Sequence, residues 1–450
     1  MLRLTYENGT IRVSGPEHQL STLQEKDLIL EYDPRSKSYR APAFRYGNLR
    51  ARLSELDFDY EDLVFDAPEL RGLVSDYELR EYQQAALDAW RENKYRGVLE
   101  LPTGSGKTVI AIKAIEALAL PTVIVVPTLD LLTQWREELR EEFDVPIGQL
   151  GGGVQSREAI TVSTYDSAYL KADSLGDIFP LTIFDEVHHL GGEGYREIAR
   201  LLASPSRMGL TATFERPDDA HEVIEKLVGP VVYRTSAEEL AGEHLAPYDV
   251  KRIEVSLTDE ERAEYERNQE TFVSYLRESG ISMQRGSDYQ ELVKRSGNDP
   301  RARRALLAKQ RAREIVSNAE GKIEELGTIF GRHKGERIIV FTAHNDLVYR
   351  LSEKFLVPAI THRTGMSERR EILERFRKGT YSRIVASNVL DEGVDVPDAS
   401  VAVVLSGSGS EREFTQRLGR ILRPGDGKRA LLYELVSQDT AEENVAARRR

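Results

Sequence analysis

The chain of 450 residues contains no cysteine. Disulfides, thiolate nucleophiles and Cys-ligated zinc are excluded, and with them any disulfide partner. It also lacks a run of about 18 apolar residues, so no membrane span or membrane partner is expected. The start, Met1-Leu2-Arg3-Leu4-Thr5-Tyr6, has neither the apolar h-region nor the cleavage site of a secretory signal. A basic excess is missing too: 62 Lys and Arg stand against 75 Asp and Glu, for a net charge of −13. That argues against a whole-surface nucleic-acid coat and leaves room for a local basic channel. The expectation is a cytoplasmic protein of roughly two to four domains.

What is present centres on Leu101-Pro102-Thr103-Gly104-Ser105-Gly106-Lys107-Thr108. An apolar run at 97–101 leads in as a buried strand, and a helical pattern at 109–118 leads out. A glycine-rich strand-to-helix turn presents backbone N–H groups and a helix N-terminus to phosphate oxygens. Gly104 and Gly106 allow close approach, Lys107 can reach the β- and γ-phosphates, and the Thr108 hydroxyl can bind Mg²⁺. The strict pattern asks for a first glycine where Leu101 stands. Upstream, a helix opens at Leu79-Arg80-Glu81-Tyr82-Gln83, where Arg80 and Gln83 could stack on and read an adenine.

The first fifty residues read as a small β module. Leu2, Leu4 and Tyr6 alternate, Asn8-Gly9 turns, and Ile11 and Val13 alternate again. A second hairpin is expected around Asp33-Pro34-Arg35. Basic residues (Arg35, Lys37, Arg40, Arg45, Arg50, Arg52) follow, as a solvated face or a DNA contact. Residues 54–70 hold seven acids and no Lys or Arg, which reads as an acidic linker or domain edge.

From 122 onward, β-branched runs alternate with helical patterns, giving an α/β domain with a parallel sheet. Ligands gather at the carboxyl ends of such strands. Thr128, Ser163, Thr164, Asp185 and Thr211 fall there. Residues 256–326 turn helical and charged, acidic first, then basic through Lys294, Arg295, Arg301, Arg303, Arg304, Lys309, Arg311 and Arg313. A solvated helix face competes there with a nucleic-acid contact. The α/β alternation then resumes without a second phosphate loop.

Asp185-Glu186 closes a strand downstream of the phosphate loop. One carboxylate there can hold Mg²⁺, and its neighbour can orient the attacking water. His188-His189 suggests a metal, but adjacent side chains are expected to diverge. Arg420 and Arg423 lie three apart, on one helix face, and can clamp charge on a γ-phosphate. Coming from the second α/β half, they would make the ATP site a cleft that opens and closes.

In the order and spacing of these motifs the chain resembles superfamily 2 helicases, and among them the XPB family, archaeal members especially. Residues 79–83 look like the adenine-reading motif, 101–108 like motif I and 126–135 like motif Ia. Val162-Ser163-Thr164-Tyr165 resembles motif Ic, Asp185-Glu186-Val187-His188 motif II and Thr211-Ala212-Thr213 motif III. Residues 339–342, 389–395 (with Gly393 and Asp395) and 416–423 (with Gln416, Arg420 and Arg423) resemble motifs IV, V and VI. The family's phosphate loop is short and led by Pro-Thr-Gly, which accounts for Leu101.

The resemblance implies an α/β fold with two RecA-like parallel-sheet domains, a small N-terminal mostly-β domain and a helical thumb insertion. The expected limits are 1–70 for a damage-recognition-like domain with acidic linker, 71–250 for helicase domain 1, 251–326 for the thumb and 327–450 for helicase domain 2. It implies ATP and Mg²⁺ as cofactors and 3′→5′ translocation and unwinding on DNA, at single-stranded/duplex junctions, in nucleotide excision repair. A structure-specific nuclease is the implied partner. Thr103, Gly104, Ser105, Gly106, Lys107 and Thr108 would cradle the nucleotide. Thr128, Thr164, Arg216, Arg301, Arg303 and Arg304 would touch DNA. One departure stands out: the family's Arg-Glu-Asp element is Arg216-Pro217-Asp218 here, which puts unwinding in question more than hydrolysis. An RNA-remodelling ATPase and the motor subunit of a nuclease or restriction complex are the alternatives.

Overall fold

A computed structural model describes residues 1–23, 30–66, 70–102, 104–192, 194–215, 220–236, 239, 248–283, 286–387, 399–406 and 430–443. The chain separates into two compact units, Met1–Glu239 and Leu240–Arg450.

The first unit opens with a module of β1 (Leu2–Glu7), β2 (Thr10–Ser14), α1 (Glu17–Thr22), β3 (Glu31–Asp33), β4 (Ser38–Pro42), α2 (Tyr46–Glu55) and β5 (Tyr60–Leu63). Its sheet runs β3-β4-β2-β1-β5. Both expected hairpins form. Asn8 and Gly9 take left-handed φ of 48° and 79°, which closes the turn between Glu7 and Thr10. Alternation buries Leu2, Leu4, Ile11 and Val13 against Leu49 and Leu53 of α2. The acidic stretch is an edge more than a linker, because β5 lies inside it and pairs parallel with β1. Much of the basic cluster is used internally: Arg40 pairs with Glu7 and Asp33, and Arg35 with Asp33. Tyr6 Oη donates to the Leu201 carbonyl at 3.1 Å and ties the module to the α/β layer of the same unit.

That α/β layer comprises α3 (Glu81–Glu92), β6 (Arg96–Glu100), α4 (Lys107–Leu118), β7 (Thr122–Val126), α5 (Leu129–Glu142), β8 (Ile147–Gly151), β9 (Val154–Ser156), β10 (Ile160–Thr164), α6 (Tyr165–Leu175), β11 (Leu181–Asp185), α7 (Arg196–Leu201), β12 (Ser206–Thr211), α8 (His221–Leu227) and β13 (Val231–Arg234). The sheet order is β13-β6-β12-β11-β7-β10-β8-β9. Every pairing is parallel except β8 with β9. The central strands are near-continuous apolar runs because helices cover both faces.

A guanidinium sits fully inside this layer. Arg207 on β12 is 0 % exposed and donates to the carbonyls of Ser204 (3.0 Å), Ala199 (2.8 Å), Leu227 (2.6 Å) and Leu202 (2.6 Å). Most of these are carbonyls that helix ends leave without intrahelical partners. Burial, with Arg96 nearby, pushes its pKa down.

The second unit holds β14 (Tyr248–Val255), α9 (Asp259–Ser279), α10 (Gly286–Ser296), α11 (Pro300–Ser317), α12 (Glu320–Arg332), β15 (Ile338–Thr342), α13 (Asn345–Phe355), β16 (Ala359–Ile360), α14 (Met366–Arg377), β17 (Arg383–Ser387), β18 (Val401–Val404) and β19 (Ala430–Ser437). Its all-parallel sheet runs β14-β19-β18-β15-β17-β16. α9 and α11 pack as a hairpin. α9 starts on a capping box of Thr258 and Glu261 and stops at Gly280, φ 69°. α11 starts with Pro300 behind the Asp299 cap. Its buried alanines, 302, 305, 308 and 312, recur at helical spacing and let the two helices approach closely. α12 packs with the sheet instead, Ile323, Leu326 and Ile329 lying against Ile338 and Val340. No described helix is long and apolar enough to cross a membrane.

Arg207→Met removes the guanidinium that donates to four buried carbonyls, of which, among the described residues, Leu227 alone keeps another side-chain donor, Arg96 Nη2. We expect a loss of about 3 kcal/mol, read from urea denaturation of the whole chain. An unshifted midpoint would show that those carbonyls find other partners.

Candidate nucleotide site and nucleic-acid contacts

The glycine loop joins β6 to α4, as its flanks foretold. Gly104 and Gly106 have φ of 80° and 77°, a conformation that favours glycine. Gly106 also has no room for a side chain, since a Cβ there would run into Gln83 Nε2. Gln83 is a clamp: its Oε1 accepts from Arg80 N at 2.9 Å, and its Nε2 donates to the Ser105 carbonyl at 2.8 Å. Tyr82 Oη donates to the same carbonyl at 2.7 Å. Lys107 is buried, with Nζ donating to the carbonyls of Leu101 (3.0 Å) and Pro102 (3.4 Å). α4 has no side-chain cap, and Ser105 Oγ is buried without a partner. An N-terminus and a hydroxyl left in that state fit a phosphate group.

Asp185 is the last residue of β11, and Thr211 the last of β12. The order β6-β12-β11 sets Asp185 two strand spacings, roughly 10 Å, from the strand that feeds the loop. The carboxylate is buried and held: Oδ2 accepts from Trp135 Nε1 at 2.8 Å and Oδ1 from Glu186 N at 3.0 Å. Glu186 has φ 46° and ψ 56°, a strained setting for a residue other than glycine. Its Oε2 lies 3.5 Å from His188 Nδ1, which lies 3.2 Å from Thr211 Oγ1. The two adjacent histidines do not diverge as expected, for a 3₁₀ turn sets their rings 4.5 Å apart.

Thr128 and Thr164 cap the neighbouring helices α5 and α6, accepting from Leu131 N (3.2 Å) and Ser167 N (3.3 Å). In the hairpin, Arg301 pairs with Glu278 and Arg311 with Glu264 (2.8 Å). Lys309 lies over the rings of Phe272 and Tyr289. The acidic and basic halves of this region therefore partly neutralise each other. Arg303 and Arg304 are exposed, with no ion pair among the described residues. Thr103, Arg216, Gly393, Asp395, Gln416, Arg420 and Arg423 lie outside the described residues.

Sequence reasoning missed Trp135, Tyr82 and Tyr165, whose Oη donates to the Asp185 carbonyl at 3.1 Å. Their apolar periodicity reads as core, and only the need of a buried O–H or N–H for a partner hints at more. Glu138 was missed as well. Burial, with Glu141, Glu142 and Asp185 nearby, pushes its pKa up to about 7, against a lowering bond from Tyr77.

Three family profiles match in chain order. The "Xeroderma pigmentosum group B helicase damage recognition domain" covers residues 4–64, "Type III restriction enzyme, res subunit" 76–216, and "ERCC3/RAD25/XPB C-terminal helicase" 309–450. Over 421 residues the chain is 48% identical to the DNA 3′-5′ translocase XPB2 of Sulfurisphaera tokodaii, covering 94% of this chain and 95% of that one. The chain belongs to the XPB family of helicases. Its similarity extends to the DNA 3′-5′ helicase XPB of Mycobacterium tuberculosis, at 30% identity over 97% of this chain and 78% of the relative. The crystal structure of the Pyrococcus furiosus Hef helicase domain aligns at a TM-score of 0.54 and 21% identity, over 83% of this chain and 99% of that one, a likeness of fold. An XPB-family chain is thus an α/β protein with two RecA-like parallel-sheet domains and a small N-terminal β module, and nucleotide and divalent-metal use goes with that family.

Glu138 sets a pH signature. Its folded pKa is raised from 4.5 to about 7, so between those values the folded chain keeps a proton that the unfolded chain releases. Stability therefore falls as pH rises through that window. Glu138→Gln should flatten the fall and exceed the parent at pH 8 by about 2 kcal/mol. Denaturation at pH 5 and pH 8 checks it, and parallel curves would refute the shift.

Proposed function

We propose that this chain is an ATP-driven DNA translocase and helicase of 3′→5′ polarity, acting in nucleotide excision repair. The observation that carries the reading is the phosphate loop and the Asp185-Glu186 pair two strands apart on the carboxyl edge of one parallel sheet, in a chain similar to a DNA translocase over 94% of its length. In this reading the loop from Thr103 to Thr108 holds the phosphates of ATP, with Lys107 at the β- and γ-positions. Arg80 is assigned to stack on the adenine. Gln83 spends its amide on the loop, so it shapes the site as much as it reads the base. Thr108 and Asp185 would hold Mg²⁺, which when bound neutralises phosphate charge. Trp135 fixes the Asp185 carboxylate for that task. Glu186 orients and polarises the attacking water. Its bridge through His188 to Thr211 links the acid pair to the Thr211-Ala212-Thr213 strand end.

Gln416, Arg420 and Arg423 are assigned the γ-phosphate clamp, and Gly393 and Asp395 the nucleotide, on their motifs alone. DNA backbone is assigned to Thr128 and Thr164, whose helices start at the carboxyl ends of the paired strands β7 and β10. Arg216, Arg301, Arg303 and Arg304 are assigned to DNA as well, on their sequence alone. Cleavage, where it accompanies opening, falls to a partner nuclease, because no acid–lysine nuclease constellation is evident in the chain.

ATPase activity should rise on adding DNA and exceed the response to RNA. Lys107→Ala and Glu186→Gln should each lower it by roughly 10²-fold or more. Turnover indifferent to nucleic acid would sink the reading. Strand displacement on a fork, run beside hydrolysis, separates unwinding from translocation at Arg216-Pro217-Asp218.

A double Arg303→Glu, Arg304→Glu variant should keep its basal hydrolysis. It should need several-fold more DNA for half-maximal stimulation, with a shallower salt dependence. An unchanged DNA requirement would remove these two residues from the DNA contacts.

A further inference from the structure

The first parallel sheet has a second end. Where β6, β12 and β13 begin, a cavity of ≈ 790 Å³ opens between the N-terminal module and the α/β layer. β6 alone separates it from the phosphate loop by about 13 Å of strand. Its charged lining is Arg45, Arg50, Lys94, Arg96 and Lys226, against the single acid Glu225. Arg50 is the one with a counter-charge, reaching Asp62 at 3.6 Å. Among the described residues no ion pair ties Arg45, Lys94, Arg96 or Lys226 to a carboxylate.

Two of these cations are held in an unsatisfied state. Arg96 spends Nη2 on the Leu227 carbonyl at 2.9 Å, while its Nη1 is buried with no acceptor. Arg45 Nε is likewise buried without a partner. The two charges are close enough to act on one another: burial first, then Arg45, brings the Arg96 pKa down to about 10. Lys94 and Tyr95 enter β6 with left-handed φ of 58° and 62°, a strained path that sets Lys94 at the rim. Neighbouring guanidiniums that lack a carboxylate cost free energy which a bound anion would recover. Their forked N–H geometry matches phosphate oxygens. The volume is that of a small-molecule pocket.

We propose that this cavity binds a small phosphorylated molecule of nucleotide size, with Arg45 and Arg96 on its phosphate oxygens. The ligand would touch α2 on one side and the strand starts on the other, bracing the module against the sheet. The proposal does not rest on the assigned motor activity, and the site is separate from the phosphate loop.

The test uses the full chain carrying Lys107→Ala, which disables the phosphate loop, titrated calorimetrically with inorganic tripolyphosphate. One saturable site is expected. Adding Arg45→Glu with Lys226→Glu should weaken it at least tenfold, and Arg45→Gln alone several-fold, with ligand-free melting temperatures unchanged. A saturating short DNA duplex should leave the tripolyphosphate affinity as it was. Absence of saturable uptake, equal affinity in the charge-reversed variant, or competitive displacement by the duplex would each overturn the proposal. The last would give this wall to nucleic acid instead.

Discussion

Parallel pairing governs the placement of everything functional in the first unit. Because β6, β12, β11, β7 and β10 run the same way in adjacent register, their carboxyl ends form one row. The glycine loop, Thr211, Asp185, Thr128 and Thr164 stand along it in that spatial order, which the chain order alone scrambles. No side chain needs to reach far, for the hydrogen-bond ladder has already set the spacing. The same ladder makes the row of strand starts, where Arg96 and Ser206 lie, a distinct surface with its own chemistry.

The buried cations among the described residues draw on backbone carbonyls. Arg207 has four carbonyls and Lys107 two. Carbonyls at helix ends and in tight loops are short of donors in any case, so a buried cation there satisfies two deficits together. Lys322 draws on an acid as well, donating to the Leu405 carbonyl and to both oxygens of Glu442.

The sequence made the core elements legible because they obey one local rule each. The helices Leu129–Glu142 and Asn345–Phe355 and the strand Arg383–Ser387 fall where periodicity put them. The strands that escaped, β5, β9, β13 and β14, all lie at sheet edges. An edge strand is half solvated and carries charge, as Lys251, Arg252 and Glu254 do in β14, so it shows no apolar run. β8 was hidden by its two glycines. In the site, the loop and the acid pair were readable because their chemistry is contiguous in sequence. Trp135 and Glu138 were not, because what defines Trp135 is a partner fifty residues away, Asp185, and what defines Glu138 is burial beside the distant Tyr77.

The helical hairpin of the second unit has two separate apolar clusters. One, around Leu257, Tyr265, Ala312 and Ile315, lies at its root, and the other, around Phe272, Tyr275, Leu292 and Ala302, at its tip. A 21-residue helix such as α9 is about 30 Å long, and each cluster is closed by its own side chains. The tip can therefore be lengthened, shortened or recast without disturbing the root that joins it to the sheet. Such an architecture lets a lineage recast the hairpin's tip while leaving the sheet that carries its root untouched.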